Sequence, residues 1–142
     1  MTALTANRVA TASRTGQRLY RPVAAGVHIF AGSLVVMSGG YASPGHAATG
    51  LIADGRAEFE ADNTGGANGA ISVEVYPGIY HWANSGAGPD LIAAANIGAT
   101  CYVVDDQTVA LTNDTNTLSA AGKIVDVDAT GVWVATGIAF PE

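Results

Sequence analysis

The chain has 142 residues, of which 49% are hydrophobic and 13% charged, with a net charge of −6 and a single cysteine. This length fits one domain that buries a core without metals, and a lone cysteine excludes an intramolecular disulfide. The acidic charge argues against a nucleic-acid partner, and no apolar run reaches the roughly 20 residues of a membrane-spanning helix, so we predict no membrane partner either.

The charges are divided unevenly along the chain. The N-terminal segment, residues 1–53, has four arginines and no acidic residue, whereas the body, residues 54–142, has all twelve acidic residues and two basic ones. Opposite charges at two ends of a molecule favour contact with a second copy or with another charged surface. We therefore predict intermolecular contacts with carboxylates for the four arginines of the segment: Arg8, Arg14, Arg18 and Arg21.

The first sixteen residues are small and polar, with no apolar period, so they cannot offset the entropy of ordering on their own. We predict an extended N-terminal arm over 1–16 and a β domain over 17–142. The domain consists of short apolar or alternating segments between turn residues, a pattern typical of strands. These segments are 18–24, 27–30, 33–37, 50–53, 56–61, 71–75, 79–83, 99–105, 108–112, 122–128 and 131–139.

The clearest alternation is Ile71-Ser-Val-Glu-Val75, which places Ile71, Val73 and Val75 on one face and Ser72 and Glu74 on the other. Only residues 89–96 favour a helix, of one or two turns. The expected fold class is all-β: a single compact β-sandwich, jelly roll or barrel of about ten short strands, with at most one short helix near 89–96.

The three histidines, His28, His46 and His81, show no metal-ligand spacing with one another or with Cys101. We predict no metal or cofactor, an exposed turn position for His46, a strand-face position for His81 and a buried strand thiol at Cys101.

The sequence positions of the acidic residues indicate structural roles for them. Asp105-Asp106 and Asp126-Val-Asp128 are typical of solvated turns. Glu58 and Glu60 flank Phe59, which predicts that both lie on the solvent face of one strand. The chain has no nucleophile elbow, phosphate-binding loop or zincin motif. We therefore predict no catalytic residue and no enzyme activity.

The aromatic residues Tyr76, Tyr80 and Trp82 lie close together in the sequence, and Trp133 lies in a later strand. Core packing explains such residues, but exposed tyrosine and tryptophan are frequent anchors of protein interfaces. Both interpretations of Tyr76, Tyr80 and Trp82 stay open.

A family pattern appears over residues 96–134. The pattern has three parts. The first, residues 98–109, is a glycine followed by an apolar strand and Asp-Asp-x-Thr-Val; the second is Ala-Gly-Lys-Ile-Val at 121–125, and the third is Gly-Val-Trp-Val at 131–134. This order resembles the C-terminal half of capsid decoration (cement) proteins of tailed phages and prophages. Residues 18–62 are compatible with the same family.

The resemblance implies an all-β protein on the outer surface of the virion, made in the bacterial host cytoplasm. Family members bind the major capsid protein as oligomers and clamp neighbouring capsomers, which implies that this chain also binds itself, as a dimer or a trimer. An alternative is a glycan- or receptor-binding module on the virion surface. A third class, a hydrolase, requires two carboxylates within one pocket.

Overall fold

The computed structural model describes residues 5–6, 18–86 and 88–138, and this part of the chain is all-β, as predicted. Its strands form one five-stranded sheet, one closed five-stranded barrel and one two-stranded sheet. The strands are β1 Leu19–Pro22, β2 His28–Ile29, β3 Leu34–Ser38, β4 Tyr41–Pro44, β5 Ile52–Ala57, β6 Ala61–Asp62, β7 Ser72–Tyr76, β8 Gly78–Asn84, β9 Thr100–Val103, β10 Thr108–Ala110, β11 Ala120–Asp128 and β12 Gly131–Thr136.

The five-stranded sheet has the order β1-β7-β5-β3-β4, and its named strand pairs are antiparallel. The β3–β4 hairpin turns at Gly39 and Gly40, which both have a positive φ that glycine adopts without strain. Val23, just after β1, forms an isolated parallel bridge with Ala42 of β4. The two outer strands of the sheet therefore approach each other, and the sheet is strongly curled.

The barrel has the order β10-β8-β12-β11-β9, closed by the parallel pair of β10 and β8. Residues 96–134, which carry the family pattern, supply four of its five strands. β8 follows β7 across the single residue Pro77, so the chain passes directly from the sheet into the barrel.

Two apolar cores lie on opposite sides of β3. Leu34 and Val36 pack into the barrel core, whereas Val35 packs into the core of the curled sheet. β3 alternates between two buried faces, which explains its continuous apolar sequence. The alternation predicted for residues 71–75 is confirmed for Val73 and Val75, which are buried in the sheet core.

Two local expectations differ from the structure. Residues 89–96 form no regular helix; two short 3-10 turns, Gly88–Asp90 and Ala94–Asn96, lie in this region. The prediction that Glu58 and Glu60 share a strand face is wrong, because β5 ends at Ala57. The two carboxylates are instead directed to separate partners: Glu58 binds Arg56 and Glu60 binds His28.

The predicted arm, residues 1–16, lies outside the described residues except for Thr5 and Ala6. Within the described ranges, no helix is long and apolar enough to cross a membrane.

Candidate functional site

Two of the four arginines of the N-terminal segment, Arg8 and Arg14, lie outside the described residues. Arg21 forms a two-pronged ion pair with Asp54, with Nε and Nη2 at 2.7 and 2.9 Å from the two carboxylate oxygens. The hydrogen bond to Asp54 raises the pKa of the Arg21 guanidinium. Asp54 is fully buried, and Arg21 supplies a hydrogen-bond donor to each of its carboxylate oxygens.

The backbone explains why Asp54 is positioned to meet Arg21. The β3–β5 register shifts between Val35 and Val36, so that Asp54 is an extra residue without a partner across the strand pair. Such a bulge bends the strand and redirects side chains. On β1, Arg21 shares a face with the buried Leu19 and therefore points inward.

Arg18 also has partners within the chain. Its Nε lies 2.7 Å from a carboxylate oxygen of Glu74 and 2.7 Å from the hydroxyl of Tyr76, and its guanidinium lies 5.5 Å from the centre of the Tyr76 ring. Arg18 and Arg21 thus bring charges of the N-terminal segment onto the body of the same molecule. Their predicted contacts with another protein stay a prediction.

The aromatic residues divide between core and surface. Trp82 is only 4% exposed in the barrel core, and its indole N–H donates to Thr136 Oγ1 at 3.1 Å. Trp82 is therefore a core residue, and the interpretation of Trp82 as an anchor of a protein interface does not fit. Tyr76 and Tyr80 are half-buried, and the Tyr80 hydroxyl donates to the backbone oxygen of Tyr76. Among the residues that the structure describes, the exposed aromatic ones are Tyr20, Phe30, Phe59 and Trp133.

Trp133 belongs to an ordered cluster on the outer face of the barrel. It is 39% exposed, its indole N–H donates to Asp128 at 3.0 Å, and its ring centre lies 4.8 Å from that of His81 across the β8–β12 pair. Hydrogen bonds to its carboxylate hold the pKa of Asp128 well below its usual range; those from Thr130 have the largest effect, followed by those from Trp133 and His81. Asp128 is thus the predicted turn acid, and it also orients Trp133.

The side chains considered as metal ligands in the sequence do not form a metal site among the described residues. His46 is exposed after β4 and His81 lies on a strand face, both as predicted. Cys101 is a buried strand thiol, also as predicted, and burial raises its pKa to about 12. Within the described residues, no group of three or more His, Cys, Asp or Glu side chains could hold a metal ion.

A surface groove, which we call the seam groove, begins between β5 and the barrel strands β11 and β12 and continues to the β3–β4 turn and Arg21. It consists of two cavities of about 270 and 240 Å³ that share Ile52 and Ile138 in their walls. The first cavity has no charged side chain in its walls; its remaining lining residues are Leu51, Ala53, Ala120, Ala121, Gly122, Ala135 and Gly137.

A further cavity of about 340 Å³ lies beside Phe30 and contains Asp106. Asp106 is the one carboxylate that lines any of these three cavities among the described residues. A glycosidase-type pair of carboxylates is therefore not assembled in these cavities.

Comparison of the chain with protein-family models, with curated proteins and with solved structures gave no match. The resemblance to capsid decoration proteins thus rests on the residues of the chain itself.

Proposed function

We propose that this protein is a capsid decoration protein, which binds the outer surface of a phage shell and stabilises it by bridging neighbouring capsomers. The observation that carries the proposal is the fold of residues 96–134. This segment, whose sequence resembles the decoration family, forms four consecutive strands, β9 to β12, of one closed barrel. The pattern therefore corresponds to one structural unit.

The distribution of charge supports the same role. Asp105, Asp114 and Asp126 are exposed, and their side chains form no ion pair among the described residues. An acidic body with a basic, acid-free segment is suited to contacts between copies or with a charged shell, since complementary charges steer association. Arg8 and Arg14 are the residues of the segment that we assign to this contact.

Co-sedimentation with capsids tests the proposal. Expanded empty capsids of the major capsid protein from the same genome are mixed with the wild-type chain, with a variant lacking residues 1–16, and with a full-length Arg8→Ala/Arg14→Ala variant. We expect the wild type to sediment with the capsids and both variants to show lower occupancy, with a wild-type occupancy that falls as salt rises.

The double variant has an arm of full length without its two arginines. Comparing it with the truncated variant therefore distinguishes the effect of the arm's charge on capsid binding from the effect of its length. Wild-type protein that stays in the supernatant would contradict the proposed function. Unchanged occupancy of the truncated variant would contradict only the role of the arm.

Trp133 supports the alternative function, a glycan-binding module on the virion surface. Its exposed indole ring is held in one orientation by Asp128, and fixed aromatic faces with nearby polar groups are typical of small-ligand sites. If this alternative holds, a glycan array gives hits with the wild type that are lost in Trp133→Ala. An array without hits would reject it.

A further inference from the structure

The outer face of the barrel carries exposed apolar side chains on three adjacent strands. Ile79 of β8 is 46% exposed, Trp133 of β12 is 39% exposed and Val125 of β11 is 42% exposed. Ile79 lies opposite Ala135, so Trp133 is its diagonal neighbour across the β8–β12 pair. Val125 is the extra residue of a bulge in β11, next to Asp126, which lies opposite Trp133. Ile79, Val125 and Trp133 therefore form one apolar surface, which we call the barrel patch.

Two opposite charges flank the barrel patch along β11. Lys123, the one lysine of the chain, lies opposite Ala135, and Asp126 lies opposite Trp133. Both charged residues are exposed. Residues opposite each other in an antiparallel pair share a face, so Lys123 and Asp126 lie on the same outer face as the patch. They are on either side of Val125, roughly 10 Å apart along the strand.

This arrangement of charges is complementary to itself. A second copy can be placed face to face about a two-fold axis that lies between the two faces, runs across the strands and passes over Val125. Each strand then meets its own copy running in the opposite direction. Lys123 of each copy comes opposite Asp126 of the other, and Trp133 comes opposite Ala135. Two-fold interfaces have this reciprocal form, in which one surface serves both partners.

We propose that the barrel patch binds the barrel patch of a second copy of this chain, with Lys123 of each copy paired with Asp126 of the other. Trp133 is the anchor of this contact, because tryptophan is enriched among the residues that dominate binding energy. Its indole is already held by Asp128 and lies beside the ring of His81, so little side-chain entropy is lost on binding. This inference rests on the barrel surface and does not depend on the proposed capsid role.

The charges favour a second copy as the occupant. A partner surface with a single sign of charge would place a like charge against either Lys123 or Asp126, whereas the same face offers the opposite charge at both positions. Each copy has a net charge of −6, so two copies repel each other at long range. We therefore expect a weak dimer, which forms at high protein concentration and is dissociated at the low concentrations used for circular dichroism.

Reciprocal charge substitutions test the contact. Lys123→Asp and Asp126→Lys each place like charges at both contact points, so each variant alone should dimerise at least about tenfold more weakly than the wild type. In an equimolar mixture of the two variants, each contact point again joins opposite charges, and dimers should return. Sedimentation velocity over a range of concentrations measures the wild type, the two variants and their mixture. Circular dichroism checks that both variants are folded.

The possible results are distinct. A wild type that stays monomeric at every concentration, a wild-type trimer, or variants that associate as strongly as the wild type would each overturn the proposal. A mixture that stays as monomeric as its two components would also overturn it, because the reciprocal pairing of Lys123 with Asp126 would then be absent.

A second pair of variants leaves the charges unchanged. Trp133→Ala should weaken dimerisation by about tenfold or more, because the anchor of the contact is lost. Phe59→Ala is the control, since Phe59 is another exposed aromatic residue but lies outside the barrel strands, and its dimerisation should equal that of the wild type. Equal dimerisation of these two variants would overturn the assignment of the contact to the barrel patch.

Discussion

Replacing Arg21 with alanine should lower the free energy of unfolding by about 3–5 kcal/mol, the typical cost of removing one partner from a buried ion pair. Asp54 is fully buried, and both of its carboxylate oxygens accept hydrogen bonds from Arg21. Without the guanidinium, a buried charge stays unpaired inside the curled sheet. Urea denaturation monitored by circular dichroism measures the change.

Two further variants make this result specific. Arg56→Ala removes a more exposed pair with Glu58 and should cost about 1 kcal/mol or less. Arg21→Met/Asp54→Leu removes both charges and should recover most of the stability lost in Arg21→Ala, since apolar pairs commonly replace buried ion pairs at little cost. A loss below about 1 kcal/mol in Arg21→Ala would show that the pair does not support the fold.

Trp82→Ala is expected to have an effect of similar size, about 3–5 kcal/mol, because it leaves a large cavity in the barrel core. The substitution also removes the indole N–H that donates to the buried Thr136 hydroxyl. Trp133→Ala is the matched control at the barrel surface, with an expected loss of about 1 kcal/mol or less. Denaturant unfolding followed by far-ultraviolet circular dichroism compares the two variants without relying on tryptophan emission.

Equal losses in the two tryptophan variants would contradict the separation of core and surface roles. A large loss in Trp133→Ala alone would mean that the outer cluster with Asp128 and His81, and not the Trp82 contact, stabilises the barrel.

The all-β class and several local features could be predicted from the sequence because they depend on neighbouring residues. The period of two in residues 71–75 predicted the inward face of β7, and apolar neighbours predicted the burial of Cys101. The same alternation did not predict that Glu74, on the opposite face, is buried. Its partner is Arg18, more than fifty residues earlier, so this burial depends on the pairing of β1 with β7.

The two tryptophans show a second limit. Strand β8 has apolar residues on both faces, including the exposed Ile79 and the buried Trp82, so alternation alone does not distinguish inside from outside. Trp133 lies between Val132 and Val134, which are both buried. Its outward position is set by the register of β12 with β8, where it lies opposite His81.

The intrachain ion pairs could not be predicted from the sequence for a related reason. The charge division along the chain indicated that basic and acidic regions meet, but not that they meet within one molecule. Arg21 reaches Asp54 because the sheet is curled and β5 has a bulge, and both features depend on contacts between distant segments.

The central claim, that this chain is a capsid decoration protein, is tested most directly by particle reconstructions of the capsid with and without the protein. We expect added density on the outer surface, arranged around symmetry axes between capsomers, into which the β body of residues 18–138 fits. Identical reconstructions, or added density confined to the tail, would contradict the claim.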